Sequence, residues 1–174
     1  HQPLLQSSPI EFPTIQALEN YVAHAREQHV EGVIIKRKSS MYHQGRVRGD
    51  WWKMKVAPIT VDLVVMYAQR GRGARTGRYT DYTFGAWQDN QLVPVAKAYS
   101  GLSNTEIIAI NKIIKRNINE SFGPVRSVAP CIVMEIGCDS IHASKRHKSG
   151  VAMRFPRIIR YRPDKPVEDA ATID

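Results

Sequence analysis

Apolar positions recur at helical spacing in two stretches of the chain. Ile15, Leu18, Val22 and Ala25 share one face, and Thr14 offers a hydroxyl to the first turn, so a helix is predicted from Thr14 to the neighbourhood of Gln28. Between Thr105 and Ile118, the side chains of Ile107, Ile108, Ile110, Ile114 and Ile118 fall roughly on one face, with Ser103 or Asn104 as the cap. Elsewhere the pattern is that of strands. Residues 30–36 form a short β-branched run, residues 50–56 alternate polar and apolar side chains, and a polar basic loop joins the two before Pro58 closes the segment. From Ile59 onward the apolar runs are short and closely spaced, at residues 61–69, 79–88, 92–98, 131–137 and 151–162, with Gly and polar turns between them.

These elements predict a mainly β, α+β chain. The change of texture divides it into residues 1–57 and 58–174. The second part fits a closed barrel of the oligonucleotide-binding (OB) kind, with about five strands and one inserted helix; an SH3-like barrel or an open α+β sheet fits the same pattern. The acidic tail after Pro166 is expected to be loose.

Charge narrows the choice of partner. The 174 residues hold 25 Lys plus Arg against 16 Asp plus Glu, a formal charge of +9, which favours a polyanion over an acidic small molecule. Cys131 and Cys138 form no metal or redox motif and read as reduced thiols in a cytoplasmic setting. No apolar run reaches the roughly 20 residues of a membrane span, so no membrane role is expected.

Several segments carry candidate chemistry. Glu31, beside Gly32 at the start of a strand, is placed to hold a hydrated divalent cation near a phosphate; taken without context, an edge-strand salt bridge is the plainer use of it. Lys53 and Lys55, two apart in a strand, put both ammonium groups on one face, with Trp52 and Met54 on the other. Like charges so placed repel, and a phosphate between them would relieve the repulsion. Trp51 and Trp52 are expected to pack. Arg70, Arg72, Arg75 and Arg78 share a Gly-containing stretch without an acid, suited to lie along a nucleic-acid backbone. Lys145, Arg146 and Lys148 form a second basic turn. Arg157, Arg160 and Arg162 belong to an arginine-dense end strand followed by Asp164 and Lys165, whose guanidinium forks suit phosphate oxygens.

Together these segments resemble the covalent nucleotidyltransferases, and among them the ATP-dependent DNA ligases of bacterial type. EGVIIK, residues 31–36, resembles motif IV; WWKMK, residues 51–55, resembles motif V; RFPRIIRYRPDK, residues 154–165, is similar to motif VI. The resemblance implies that residues 1–57 are the end of an adenylation domain and residues 58–174 an OB-fold DNA-binding domain. It further implies that Glu31 helps bind Mg²⁺ and, with Lys36, serves the nucleotide site. Lys53 and Lys55 would contact the phosphate of ATP, and Arg162, Asp164 and Lys165, with Arg157 and Arg160, would orient the leaving pyrophosphate as the barrel closes. The implied partner is nicked double-stranded DNA, sealed through enzyme-AMP and DNA-adenylate intermediates in replication, repair and recombination by a monomer in the bacterial nucleoid. The family's Lys-x-Asp-Gly nucleophile motif is not in these 174 residues, so the remainder of the adenylation domain is a further implied partner, and the chain alone is expected to be inactive in adenylation. A noncatalytic OB-fold nucleic-acid-binding module and an RNA ligase or capping-type enzyme remain the alternatives.

Overall fold

Thr14 sets the first element. Its backbone is extended and its hydroxyl accepts from the Ala17 N–H, capping helix α1 (Ile15–Ala23). The helix stops earlier than its apolar spacing suggests: the Ala25 N–H turns to the Val22 carbonyl, an i→i−3 bond that tightens and ends the last turn. Gln28, the expected end, lies outside the described residues, which are 8–25, 27, 30–71, 73 and 76–173 of this computed structural model. Strands β1 (Gly32–Lys36) and β2 (Trp51–Lys55) pair antiparallel, with Gly32 opposite Lys55 and Lys36 opposite Trp51. These elements belong to a first unit, His1–Ala57; the second is Pro58–Asp174.

The second unit is built around β3 (Ile59–Arg70), long enough to serve two neighbours along one edge. Its first half pairs with β8 (Val133–Cys138) and its second half with β7 (Val125–Val128), while β4 (Tyr79–Gln88) takes the opposite edge. Register shifts between Val65 and Tyr67 and between Gln69 and Arg70 curl the strand. With β5 (Gln91–Ala98) beyond β4 and β11 (Arg157–Tyr161) beyond β8, the order is β11-β8-β3-β4-β5, and β6 (Ile118–Phe122) extends from β7. The result is a curled half-barrel of the OB kind, in a mainly β chain with two α-helices among the described residues. A separate hairpin joins β9 (Ser140–Ala143) to β10 (Val151–Arg154).

Helix α2 (Asn104–Arg116) begins with a full capping box: Ser103 accepts from the Glu106 N–H, and the Glu106 carboxylate accepts from the Ser103 N–H. Its buried face is Ile107, Ile110, Asn111 and Ile114, the i, i+3, i+4, i+7 set. Ile108 lies off that face and is exposed, and Ile118 belongs to β6, so the expected isoleucine stripe was one residue too wide and one turn too long. Ile110 and Ile114 enter a core with Leu63, Val65, Tyr82, Phe84, Met134, Ile136 and Ile158.

Three further differences have local causes. Residues 151–162, read as one strand, break into β10 and β11, because Phe155 takes a left-handed φ of 52° and Pro156 has no N–H to give a ladder. The curled sheet also holds more strands than the pattern suggested, since β6 and β7 are short and mostly not buried, and β9 pairs apart from it with β10. The tail after Pro166 is not loose: a 3-10 turn (Val167–Asp169) leads to Ala171, whose N–H donates to the Asp62 carbonyl and whose carbonyl accepts from the Trp87 N–H, and the Ile173 N–H returns to the Trp87 carbonyl. Ala170 is buried and Ala171 and Ile173 pack on the core. Among the described residues no helix is long and apolar enough to cross a membrane.

Candidate functional site

In the first unit the ladder decides which side chains share a face. Cross-strand partners point the same way, so Ile34, Lys36, Trp51, Lys53 and Lys55 lie on one side, and Val33, Ile35, Trp52 and Met54 on the other. Gly32 has φ 130°, and a Cβ there would lie 2.1 Å from the Met54 carbonyl oxygen. Glycine at this position therefore lets β1 lie against β2 directly beside Glu31. Lys53 Nζ is 3.3 Å from Glu31 Oε2, so the sequence-predicted cation binder and phosphate binder meet as an ion pair. Both side chains are partly exposed, which leaves the pair weak and exchangeable. Lys36 Nζ sits 4.4 Å from the Trp51 ring centroid, a cation–π contact across the ladder. Trp51 and Trp52 remain about half exposed, Trp51 lying under Lys36 and donating from Nε1 to Ser40 Oγ. The loop between the strands is pinned by Asp50, which lies 3.6 Å from Arg37 and 3.3 Å from His43. An open cleft beside it, lined by Tyr42, His43, Arg46, Arg48, Trp51 and Trp52 among others, combines aromatic and basic side chains that the motif reading passed over.

In the second unit the arginine segment is held by carboxylates from β3, from β8, from the bend after β8 and from its own following turn. Ile159 is the extra residue of a β-bulge between Ile158 and Arg160. In a regular strand Arg160, two residues after Ile158, would share its core face. With the bulge, Arg160 stands opposite Glu135 and donates from Nε to Oε2 at 2.6 Å. Arg157 Nη1 donates to Asp139 Oδ1 at 3.0 Å. Arg162 makes a fork on Asp164, Nε to Oδ1 at 3.0 Å and Nη2 to Oδ2 at 2.8 Å, while its Nη1 reaches Asp62 Oδ2 at 3.0 Å. Lys165 Nζ donates to the same Asp62 oxygen at 2.7 Å. The bond from Asp164 raises the Arg162 guanidinium above its ordinary value, with burial opposing and Asp62 adding to it. The same bond holds the Asp164 carboxyl below the usual carboxylate range. Asp62, Glu135 and Asp139 were not candidates from sequence, because an acid in a strand gives no motif and the pairing register that brings it to an arginine is tertiary.

The basic turns are separate from this cluster in the chain. Arg70 ends β3 with its guanidinium 6.0 Å from the Tyr79 ring centroid, and the Gly71 N–H donates to the Arg78 carbonyl, closing the base of the loop. Arg72 and Arg75 lie outside the described residues. Lys145, Arg146 and Lys148 stand exposed at the tip of the β9–β10 hairpin. That tip is shaped by the Ser144 N–H donating to the Gly150 carbonyl and by a 2.7 Å bond between Ser144 Oγ and His147 Nδ1. Phe155, exposed and left-handed, carries the Arg154 guanidinium 5.2 Å from its ring centroid.

The comparisons with known proteins agree on one family. The family model described as "ATP dependent DNA ligase C terminal region" matches residues 75–165, and that described as "ATP dependent DNA ligase domain" matches residues 4–55. A probable DNA ligase of Koribacter versatilis is 36% identical over 173 residues, 99% of this chain and 30% of the relative. A probable DNA ligase of Opitutus terrae is 39% identical over 170 residues, 95% of this chain and 17% of the relative. The chain thus spans under a third of either relative. The ligase domain of M. tuberculosis LigD matches 88% of this chain and 51% of its own with a TM-score of 0.57 at 21% identity, a likeness of fold.

Proposed function

Because this chain belongs to the ATP-dependent DNA ligases, we propose that it supplies the phosphate-neutralising side chains, and part of the DNA grip, of an enzyme that seals nicks in duplex DNA. The reaction is adenylation of the enzyme by ATP, transfer of AMP to a 5′-phosphate, and attack by a 3′-hydroxyl. The carrying observation is that cations of the segments 51–55 and 154–165 stand in exchangeable charge-assisted bonds: Lys53 on Glu31, Arg157 on Asp139, Arg160 on Glu135, and Arg162 and Lys165 on Asp62. Such bonds can be traded for phosphate oxygens at little net cost, because one anion replaces another.

In this reading Lys53 and Lys55, with Lys36 beside them, bind the nucleotide phosphates. Glu31, whose carboxylate pairs with Lys53, would help hold Mg²⁺ beside those phosphates. Among the described residues no group of three or more His, Cys, Asp or Glu side chains stands together, and one carboxylate fits an ion that keeps most of its waters and takes further oxygens from phosphates. When bound, Mg²⁺ would offset charge on the phosphoryl group. Arg157, Arg160, Arg162 and Lys165 orient the pyrophosphate leaving group, and Asp164 sets the Arg162 fork until the phosphate takes its place. Arg70 and Arg78, with Arg72 and Arg75, and the hairpin cations Lys145, Arg146 and Lys148 contact the DNA backbone. The adenylated lysine comes from the rest of the adenylation domain, since Lys-x-Asp-Gly is not in this sequence.

Two measurements test the reading. Incubated with radiolabelled ATP, the purified chain forms no covalent AMP band; a band would place a nucleophile within these residues. Bound to nicked duplex DNA over a salt series, it shows a steep log–log slope. The triple substitution Lys145→Ala, Arg146→Ala, Lys148→Ala reduces that slope by about 2 to 3, since each phosphate left without its cation removes about 0.9. An unchanged slope removes the hairpin from the DNA surface.

A further inference from the structure

Asp62 sits in β3 and stands opposite Glu135 across the β3–β8 ladder. Its backbone and its side chain hold different parts of the chain's end. The carbonyl accepts from the Ala171 N–H at 2.9 Å, which fastens the tail beyond motif VI. The carboxylate accepts from Arg162 Nη1 at 3.0 and 3.3 Å and from Lys165 Nζ at 2.7 Å, two cations that would otherwise repel each other side by side. The remaining donors of Arg162, Nε and Nη2, point to Asp164. The two carboxylates differ in environment: the Asp62 side chain is 14% exposed and that of Asp164 is 64% exposed. An incoming anion therefore meets Asp164 first, and the solvated partner is the cheaper one to displace.

We propose that Asp62 is a positioning residue for the pyrophosphate side of the reaction. It fixes Arg162 Nη1 and Lys165 Nζ to the sheet, while the outer edge of the guanidinium, Nε and Nη2, passes from Asp164 to a pair of phosphate oxygens. This rests on the reading that the segment meets the nucleotide's phosphates. The guanidinium is a planar fork, so holding one terminal nitrogen from the sheet side sets the direction in which the other two donors face. An anchored fork loses less side-chain freedom when a phosphate binds, and the ammonium of Lys165 is kept within reach of the same anion.

The alternative effect has the opposite sign. A carboxylate beside an anion site repels the anion, so if Asp62 acted only through its charge, its removal would tighten pyrophosphate binding. The test uses the chain as it stands, with inorganic pyrophosphate as the probe. Binding is measured by calorimetry at low ionic strength, and the Arg162 Nε–H resonance is followed by NMR. The unaltered chain is expected to bind with a shift of that resonance, and Arg162→Ala to lose the binding. Asp62→Asn, which keeps the carbonyl that holds Ala171, should weaken binding about tenfold, on the scale of one charge-assisted hydrogen bond, and Asp62→Glu should restore part of it. Asp164→Asn, on the solvent side, should tighten binding by freeing the outer edge; it tests the same exchange without touching β3. Equal or tighter binding by Asp62→Asn, or weaker binding by Asp164→Asn, overturns the positioning role while leaving the phosphate reading in place. If the unaltered chain and Arg162→Ala respond alike to pyrophosphate, the phosphate reading itself fails, and the role of Asp62 falls with it.

Discussion

One carboxamide fastens α2 to the sheet. Asn111 Oδ1 accepts from the Tyr79 N–H at 2.8 Å, and Nδ2 donates to the carbonyls of Tyr79 at 2.9 Å and Ile107 at 2.8 Å, all from a buried side chain. Asn111→Leu keeps the bulk but leaves the buried Tyr79 N–H at the start of β4 without its partner, while the Tyr79 carbonyl keeps the bond from the Tyr82 hydroxyl, and an unsatisfied buried group costs about 1–3 kcal/mol. We expect a loss of about 2–3 kcal/mol, read as a lower denaturant midpoint with an unchanged slope. A loss under about 0.5 kcal/mol would mean that water replaces the carboxamide. The sequence hid this residue among isoleucines: the apolar stripe was counted by residue type, and an Asn at i+4 from Ile107 reads as a polar interruption until β4 is seen to lie beside it. The same limit applies to the site. Lys53, Lys55, Arg157, Arg160, Arg162 and Lys165 were legible because cations of known spacing form a motif, whereas Asp62, Glu135 and Asp139 became partners through strand register.

Among the elements, α2 was the most legible because its start is written locally. Ser103 and Glu106 lie three residues apart ahead of an apolar stripe, and both halves of the capping box form. Ser103→Ala should cost about 1 kcal/mol of stability in a thermal or denaturant melt. The box also gives a pH dependence of known sign. The hydrogen bonds from the Ser103 side chain and backbone hold the Glu106 carboxyl below its ordinary value. A depressed folded value means that the contribution is fully present above the unfolded value, about 4.3, and is lost as pH falls through the lower folded value. The difference in stability between the unaltered chain and Ser103→Ala should therefore shrink on acidification below about pH 4; a difference that grows there contradicts the cap. Strands β6 and β7 were illegible for the converse reason. Most of their positions are exposed or half-buried, so no period-2 alternation marks them, and Ile118 looked like one more turn of the helix before it.

For the whole molecule, the end of the chain acts as part of the barrel. Trp87 donates from Nε1 to the Val167 carbonyl at 2.8 Å, exchanges backbone bonds with Ala171 and Ile173, and forms a parallel bridge with Thr172. A chain ending at Pro166 would lose these bonds together with the one from Ala171 to Asp62. At about 1 kcal/mol net for each bond, the loss is roughly 3–4 kcal/mol. Its melting temperature should fall by many degrees and its Trp87 emission should shift to the red; an unchanged melt would show that the tail adds nothing to the barrel. Composition had marked this tail as acidic and loose, since its few apolar residues cannot bury a face by themselves; they become a clasp only where β3 and β4 leave backbone groups unpaired. The sequence by itself determined the mainly β class, the two helices, the change of texture near Pro58 and the cations of the three motif-like segments, because periodicity, caps and short motifs are properties of neighbours along the chain. The tertiary structure decided which carboxylate each cation meets, where the end strand breaks, and what the tail does, because those contacts join residues far apart along the chain, 100 positions for Asp62 and Arg162 and 103 for Asp62 and Lys165, and only the register of packed strands brings such residues together.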